Sequence, residues 1–214
     1  SALLKTPDHA LRLIEAVVKA VDVPVTLKTR LGWDHDCLNA AYVARRAEAA
    51  GIRMVTIHGR TRCQFYKGQA DWRAIAEIRE AVDIPVIANG DITDAASARQ
   101  ALDQSGADGV MIGRGAQGRP WLLAKIASVL WGHAAPVVPV GTDRIALVSE
   151  HYQAMLSFYG SDLGRRVARK HLGWYMDDCA TPAKLRRQIL TETSPAQVLR
   201  MLPEAVVLHE EVAA

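Results

Sequence analysis

Residues 54–60 of this 214-residue chain have the sequence MVTIHGR, in which an apolar, β-branched run ends in histidine, glycine and arginine. Similar runs that end in polar or glycine residues lie at 24–30 (PVTLKTR), 85–91 (PVIANGD) and 109–115 (GVMIGRG). Nearly continuous apolar runs of this length are typical of strands that are buried on both faces of a parallel sheet. We therefore predict strands at 24–28, 54–58, 85–89 and 109–113.

Amphipathic helical patterns alternate with these strands. Helices are predicted to start at Thr6-Pro7 and to cover about 36–50, 72–82 and 93–104, the last capped by Thr93. Repeated strand–helix units imply parallel strands joined by right-handed crossovers. A doubly wound sheet would satisfy this pattern. A (β/α)8 TIM barrel is favoured, because functional-looking residues follow every strand and barrel enzymes carry their active sites at that end.

The strand pattern stops after about residue 125. A complete barrel has eight strands, so the four found here predict the C-terminal part of a barrel, in residues 1–128. A linker with two prolines is predicted at 129–141, and a small all-helical domain at 142–214. Its helices are expected at about 143–159, 163–176, 182–190 and 195–208, with Thr181 and Ser194 as N-caps of the last two.

Composition excludes several classes of protein. Half of the residues are hydrophobic and 23% are charged, as in globular proteins and unlike disordered chains. No apolar run has the length of a membrane span, and the N-terminus lacks a signal-peptide pattern. The three cysteines have no metal-type spacing, which indicates reduced thiols, a cytoplasmic location and no bound metal.

Two glycine loops predict a phosphate site. They are Asn89-Gly90-Asp91 and Gly113-Arg114, which follow the last two strands. Barrels often bind phosphate between these two loops, through backbone N–H groups and a helix N-terminus. Arg114 could add charge-assisted hydrogen bonds. The alternative is that both glycines only form turns.

Two further candidates end earlier strands. Lys28 could stabilise a developing anion at the mouth of the barrel, or extend into solvent. His58 could contact a cofactor or transfer a proton, although a lone histidine is more often structural.

Basic residues form two groups. Arg60, Arg62 and Lys67 flank Phe65 and Tyr66. Between 165 and 187, seven basic residues accompany only Asp177 and Asp178. Such clusters are typical of proteins that bind a phosphate backbone, and the alternative is a solvated helix face. The second group consists of Arg165, Arg166, Arg169, Lys170, Lys184, Arg186 and Arg187.

Six segments of the chain together resemble the tRNA-dihydrouridine synthases, and the tail resembles their bacterial B-type subgroup. They are SALLKTP, PVTLKTRLGWD, TIHGRTRCQFYKGQADW, IPVIANGDI, GADGVMIGRGAQGRPWL and RKHLGWYMDD. The resemblance implies a flavin-dependent (β/α)8 barrel with a C-terminal helical domain. In this family NADPH reduces FMN, and the reduced flavin passes a hydride to C6 of a uridine in the tRNA D-loop. A cysteine then protonates C5 to give 5,6-dihydrouridine.

The resemblance also assigns roles to residues. It implies that Lys28 and His58 contact the flavin, and that the phosphate is bound by Asn89, Gly90, Asp91, Gly113 and Arg114. Arg30, Arg60 and Arg62 would face the flipped-out uridine or the nearby RNA backbone. The helical domain, with Arg165, Arg166, Arg169 and Lys170, would bind the tRNA.

One family motif is missing. The acid cysteine lies in an Asn-x-Gly-Cys-Pro motif before the SALL segment, and Cys37, Cys63 and Cys179 do not match it. We therefore expect the intact protein to be a synthase and this chain alone to be inactive. Exposed strand edges of a partial barrel also predict self-association.

Two other functions remain open. Another FMN-dependent barrel oxidoreductase would share the glycine loops but lack HGRTR, ADW and the basic tail. A non-catalytic RNA-binding fragment would keep the helical domain and bind tRNA without flavin. A barrel fragment with neither activity nor partner is the remaining possibility.

Overall fold

A computed structural model describes residues 2–179 and 181–207 of the chain. Four parallel strands form one sheet, and their order in space follows their order in the sequence. They confirm the predicted strands, with small shifts at their ends. The strands are β1 (Thr26–Arg30), β2 (Met54–His58), β3 (Val86–Asn89) and β4 (Gly109–Met111).

Four helices alternate with the strands: α1 (Pro7–Ala20), α2 (Ala40–Ala49), α3 (Ala76–Ala81) and α4 (Ala95–Ser105). Each packs against the next one in the sequence. A doubly wound sheet reverses its strand order at a switch point, whereas this order follows the sequence without reversal. The topology is therefore that of four consecutive units of a (β/α) barrel, as predicted.

The core of this sheet unit lies between the strands and the helices. Val55, Ile57, Val86 and Ala88 are fully buried there against helical side chains. Because successive side chains of a strand point to opposite faces, the residues between them lie on the other face, which is the inner face of a barrel. Lys28, His58 and Asn89 are on this inner face.

Three helices begin later than predicted. Helix α3 starts at Ala76 instead of Trp72, because residues Arg73–Ile75 form a 3-10 turn before it. Helix α2 starts at Ala40 instead of Asp36, because an antiparallel bridge between Gly32 and Leu38 holds the preceding residues as a turn. The N-cap of α4 is Asp94 and not Thr93. Asp94 accepts a hydrogen bond from the Ser97 N–H at 2.7 Å and forms a capping box with that residue.

The chain divides into two compact units, and α5 (Leu122–Trp131) contributes to both. The sheet unit comprises residues up to Gly115 with 126–133, and the helical unit comprises 116–125 with the residues from 134 onward. The predicted linker at 129–141 thus begins inside α5. Residues 132–140 form neither helix nor strand.

The helical unit contains the four predicted helices, built around one apolar core. Ser194 caps the last of them, α9 (Pro195–Ala205), as predicted, through a bond from the Gln197 N–H. The helix before it is α8 (Ala183–Thr191). Thr181 does not cap α8; its hydroxyl donates to the Ala205 carbonyl at 2.6 Å. Residue 208, the expected end of the last helix, lies outside the described residues. The first two of the four are α6 (Gly141–Tyr159) and α7 (Ser161–Asp177).

Among the helices of the described residues, none is both long enough and apolar enough to cross a membrane.

Candidate active site

Polar side chains from three strands meet at the carboxyl end of the sheet. Arg30, His58 and Asn89 are direct neighbours in the strand register. Lys28 lies one inward-facing position earlier, and its Nζ donates to Asn89 Oδ1 at 3.0 Å. The Asn89 amide then donates to the Met111 carbonyl at 2.8 Å. This chain of hydrogen bonds joins β1, β3 and β4, so the structure brings these predicted residues together.

His58 is neutral in this environment. Only 8% of its surface is exposed, and Arg60 Nη1 lies 3.3 Å from its Nε2. A guanidinium can only donate, so Nε2 accepts and the ring proton is on Nδ1. Burial, followed by the positive charges of Arg30, Lys28 and Arg60, lowers the pKa of His58 to about 4.

Arg60 is a structural residue, which corrects the expectation that it faces RNA. It is 2% exposed. Its guanidinium donates to both carboxylate oxygens of Asp91, at 2.9 and 2.5 Å, and to the Gly68 carbonyl at 2.7 Å. A longer bond of 3.3 Å reaches the Lys67 carbonyl. The group is therefore occupied within the fold and has no surface for a phosphate backbone.

Asp91 connects the loops that follow three strands. Besides the ion pair with Arg60, it accepts the Ala70 N–H at 2.8 Å and lies 3.5 Å from Arg114. Burial alone would raise the pKa of Asp91, but the hydrogen bonds from Arg60 and Ala70 and the charges of Arg60 and Arg114 lower it overall. Since the carboxylate is committed to these partners, only the backbone of this loop could contact a phosphate.

The two predicted glycines have different surroundings. Gly90 has a φ of +118°, and a Cβ there would lie 2.8 Å from His58 Cδ2, so the residue is required by conformation and packing. A Cβ on Gly113 would meet nothing within 4 Å, so open space adjoins this loop. The N-terminus of α4 already has its own carboxylate, Asp94. A phosphate would therefore be bound by the loop at Gly113 and Arg114 and not by this helix end.

The loop after β2 lies across this end of the sheet. Arg30 Nη1 donates to the carbonyls of Thr61 and Phe65, at 2.6 and 2.8 Å. Arg114 Cζ lies 4.4 Å from the centroid of the Tyr66 ring, and Arg30 Cζ lies 5.6 Å from it. Sequence analysis did not assign Tyr66 to the site. Its place in the sequence among Arg60, Arg62 and Lys67 was the one feature that could have pointed to it.

Positive charge predominates in the cluster that these contacts join. Lys28, Arg30, Arg60 and Arg114 accompany the single carboxylate of Asp91. Burial lowers the pKa of Lys28, and the charge of Arg30 lowers it further. Such an excess of cations suits an anionic ligand. With open space at Gly113, the residues fit an anionic group such as a phosphate.

The other predicted arginines have mixed surroundings. Arg62 Cζ lies 4.2 Å from the centroid of the Phe65 ring, which is exposed. In the helical unit, Arg165 and Arg166 both pair with Asp162, at 2.9 and 3.3 Å. This acid lies just before the stretch counted in the sequence, so the basic cluster carries less free charge than that count suggested. Arg169 and Lys170 follow on the same helix, α7, with Lys170 exposed.

The cysteines do not join the cluster described above. Cys63 is exposed, and its N–H bonds to the Trp33 carbonyl at 2.8 Å. Cys179 is buried in the helical unit, where burial raises the pKa of its thiol. Within residues 2–179 and 181–207, no group of three or more His, Cys, Asp or Glu side chains could hold a metal ion.

The family model and the curated relatives agree on one family. The family described as "Dihydrouridine synthase (Dus)" matches residues 1–210. The chain is 65% identical over 205 residues to a "Probable tRNA-dihydrouridine synthase" of Rhodobacter capsulatus, covering 96% of this chain and 63% of that protein. It is 47% identical over 188 residues to "tRNA-dihydrouridine synthase B" of Vibrio vulnificus, covering 87% and 58%. The chain thus spans about three fifths of the length of these relatives.

Similarity to solved structures is weaker. The match to a crystal structure of mandelate oxidase covers 91% of this chain and 69% of the mandelate oxidase chain. The sequence identity is 17% and the TM-score is 0.38.

Proposed function

The chain belongs to the dihydrouridine synthase family, and on that basis we propose that it is the flavin-binding and RNA-binding part of a tRNA-dihydrouridine synthase. The complete enzyme would use FMN, reduced by NADPH, to convert a D-loop uridine of tRNA to 5,6-dihydrouridine. The observation that carries this proposal is the excess of positive charge at the carboxyl end of the four strands, where Lys28, His58, Asn89 and Arg114 meet.

The residues of this chain would have separate tasks in holding the cofactor. When bound, the reduced flavin supplies a hydride to the C5–C6 double bond of the uracil ring. Arg114 and the backbone near Gly113 would bind the phosphate. Lys28, fixed by its bond to Asn89, would stabilise negative charge on the nearby ring system.

His58 would contact the flavin as a neutral group. Its pKa of about 4 keeps the imidazole uncharged at neutral pH, so the Nδ1–H is available as a donor while Nε2 accepts from Arg60. The Arg60–Asp91 pair would hold the surrounding loops in place without touching the substrate.

RNA would be bound mainly through phosphate contacts. Arg62 is the remaining loop arginine suited to this, because Arg60 is buried and Arg30 is bonded to the loop itself. In the helical unit, Arg166 and Lys170 are exposed on α7, one turn apart. These contacts would make binding depend on salt concentration.

The chain by itself would not complete the reaction. Protonation of C5 needs an acid, and none of Cys37, Cys63 and Cys179 belongs to the cluster of Lys28 and His58. The 214 residues should therefore bind ligands without producing dihydrouridine.

The first experiment is the visible absorption spectrum of the purified chain with and without added FMN. We expect the chain to bind FMN, and we expect the Lys28→Ala variant to bind FMN more weakly. Lys19→Ala, an exposed lysine on α1, serves as the control of equal charge and should bind as the unmodified chain does. A chain that binds no FMN contradicts the flavin site. Salt-dependent tRNA binding by such a chain would support the RNA-binding alternative.

The isolated chain should also self-associate. Within the described residues β1 pairs only with β2 and β4 only with β3, which leaves an open edge on each side. An apolar groove of about 270 Å³ adjoins β1 and includes the half-exposed Leu13 and Val17. Open edges and apolar surface promote association. Light scattering should give a mass above that of one chain, and a single monomeric species would contradict this expectation.

A further inference from the structure

Tyr66 occupies an unusual position at the mouth of the sheet unit. Its side chain is 60% exposed, yet guanidinium groups from the two outer strands reach its ring. Arg30 ends β1, and Arg114 follows β4. Their Cζ atoms lie 5.6 and 4.4 Å from the ring centroid. The Tyr66 ring, on the loop after β2, therefore contacts one cation from each edge of the sheet.

The loop that carries Tyr66 is fixed at several points. Its base is closed by a bond from the Asp71 N–H to the Gly59 carbonyl at 2.6 Å. Arg60 holds the Gly68 carbonyl, and Arg30 holds the carbonyl of Phe65. Phe65 adopts a φ of +53°, a conformation that costs a non-glycine residue energy and persists only where neighbouring contacts impose it. The position of Tyr66 is therefore set by the loop and does not depend on a ligand.

Arg114, in contrast, has few contacts that fix its position. Its side chain is 57% exposed, and its ion pair with Asp91 is long, at 3.5 Å. The Asp91 carboxylate already holds both Nη atoms of Arg60 at 2.5 to 2.9 Å. The Tyr66 ring is the second contact of the Arg114 guanidinium, at a distance typical of a cation–π interaction.

We propose that Tyr66 is a positioning residue of the flavin site: its ring holds the Arg114 guanidinium at the carboxyl end of β4, where this cation binds the phosphate of FMN. The inference rests on the proposed function, because it takes Arg114 as the phosphate ligand. It predicts a specific signature. Loss of the ring should weaken ligands that carry the phosphate and leave ligands without it unaffected.

The test compares FMN with riboflavin, which has the same ring system but no phosphate, in the 214-residue chain. Binding is followed by the quenching of flavin fluorescence, so no catalytic turnover is needed. Tyr66→Leu should weaken FMN about two- to five-fold, the range of an exposed cation–π contact, and leave riboflavin unchanged. Tyr66→Phe keeps the ring and should restore the affinity for FMN.

A double-mutant cycle identifies the partner. Arg114→Gln should weaken FMN but not riboflavin, and Tyr66→Leu should then have no further effect in that background. Phe65→Leu is the matched control, since this neighbouring exposed ring lies over Arg62 and not over Arg114. It should leave the ratio of FMN to riboflavin affinity unchanged.

The outcomes separate the two levels of the proposal. Equal loss of FMN and riboflavin in Tyr66→Leu, or no loss of either, overturns the positioning role while FMN binding stands. Additive effects of Tyr66→Leu and Arg114→Gln overturn it as well. If the unmodified chain binds neither flavin, the proposed flavin site fails, and the role of Tyr66 fails with it.

Discussion

Each unit of the molecule contains one large buried arginine, and the two differ in how completely they are bonded. In the sheet unit, Arg60 is 2% exposed and donates to a carboxylate, two carbonyls and an imidazole. In the helical unit, Arg144 is 1% exposed and donates to the Tyr175 carbonyl at 3.1 Å. Its nearest carboxylate, Asp178, is 4.0 Å away.

Two further observations increase the difference. Arg144 packs over the Trp121 ring at 5.3 Å, and its Nε has no hydrogen-bond partner among the described residues. A buried charge stabilises a fold only when its partners are close and complete. The comparison therefore indicates that Arg60 organises the loops of its unit, whereas Arg144 contributes little net stability to its own.

The largest effect should come from Arg60→Met. The substitution leaves Asp91 without its bidentate partner, and removal of one member of a buried ion pair costs about 3–5 kcal/mol. Asp91 keeps some access to solvent, which favours the lower end. Amide hydrogen exchange in urea, followed in peptides from β1–β3, would measure the loss of unfolding free energy in the sheet unit alone.

Arg62→Met, two residues along the same loop, is the control for this change. It removes an equal charge outside the buried pair and should cost less than about 1 kcal/mol. Comparable losses in both variants would remove the distinction on which the comparison depends.

Acid should destabilise the sheet unit through His58, with an effect of up to about 3 kcal/mol. Its folded-state pKa of about 4 lies below the ordinary 6.5, so the unfolded chain binds more protons between these values. The stability that neutral His58 contributes is complete above pH 6.5 and is lost as the pH falls toward 4. His58→Gln should flatten this dependence in peptides of the sheet unit.

The helical unit offers an internal reference for the same titration. Burial lowers the pKa of His151 and of His171, and the charge of His151 lowers that of His171 further. Peptides of α6 and α7 should therefore also lose protection below pH 6.5. His58→Gln should leave the loss of protection in α6 and α7 unchanged. A change in these two helices would show that the titration of His58 is not confined to the sheet unit.

Helix caps provide a smaller contrast between the units. Asp94 forms a reciprocal capping box with Ser97 at 2.7 Å, whereas Ser194 accepts a single bond from Gln197 at 3.4 Å. Asp94→Ala should cost about 1–2 kcal/mol and Ser194→Ala about 0.5 kcal/mol. Hydrogen exchange in the first turns of α4 and α9 would measure both, and equal costs would contradict the ranking.

A small effect, of either sign, is expected for Arg144→Met. A methionine keeps much of the packing against Trp121 and removes a buried charge whose bonds are incomplete, so stability should change by less than about 1 kcal/mol in either direction. Exchange in peptides of α6 and α7 would measure this change. A loss comparable to that of Arg60→Met would mean that burial alone, and not the set of partners, decides the role of such an arginine.

The strands and their order could be predicted from sequence because a parallel sheet leaves a strong local signal. An apolar run such as 54–58 is buried on both faces, and the polar residues that follow it must lie at one edge of the sheet. That Arg30, His58 and Asn89 lie side by side at this edge, with Lys28 one inward-facing position earlier, is consistent with this rule. Strand ends shifted by two residues at most, since the register is set by pairing between strands.

The directions of side chains in loops could not be predicted in this way. Beyond the end of β2 the alternation of faces no longer holds, and Arg60 turns inward because the Gly68 carbonyl and the Asp91 carboxylate lie there. The cap of α4 moved from Thr93 to Asp94 because Ser97 completes a box with the aspartate. Tyr66 was missed at the site because its role depends on Arg30 and Arg114, which lie far away in sequence.

The order of the strands also bears on how the sheet forms during synthesis. Each strand pairs with the one made just before it, so Met54 leaves the ribosome when Thr26, its partner in the register, is already available. Within the described residues, each pairing joins strands that are consecutive in the sequence, and each step closes a single strand–helix connection. The sheet can therefore grow by one strand and one helix at a time, as a nascent chain that folds in the direction of translation.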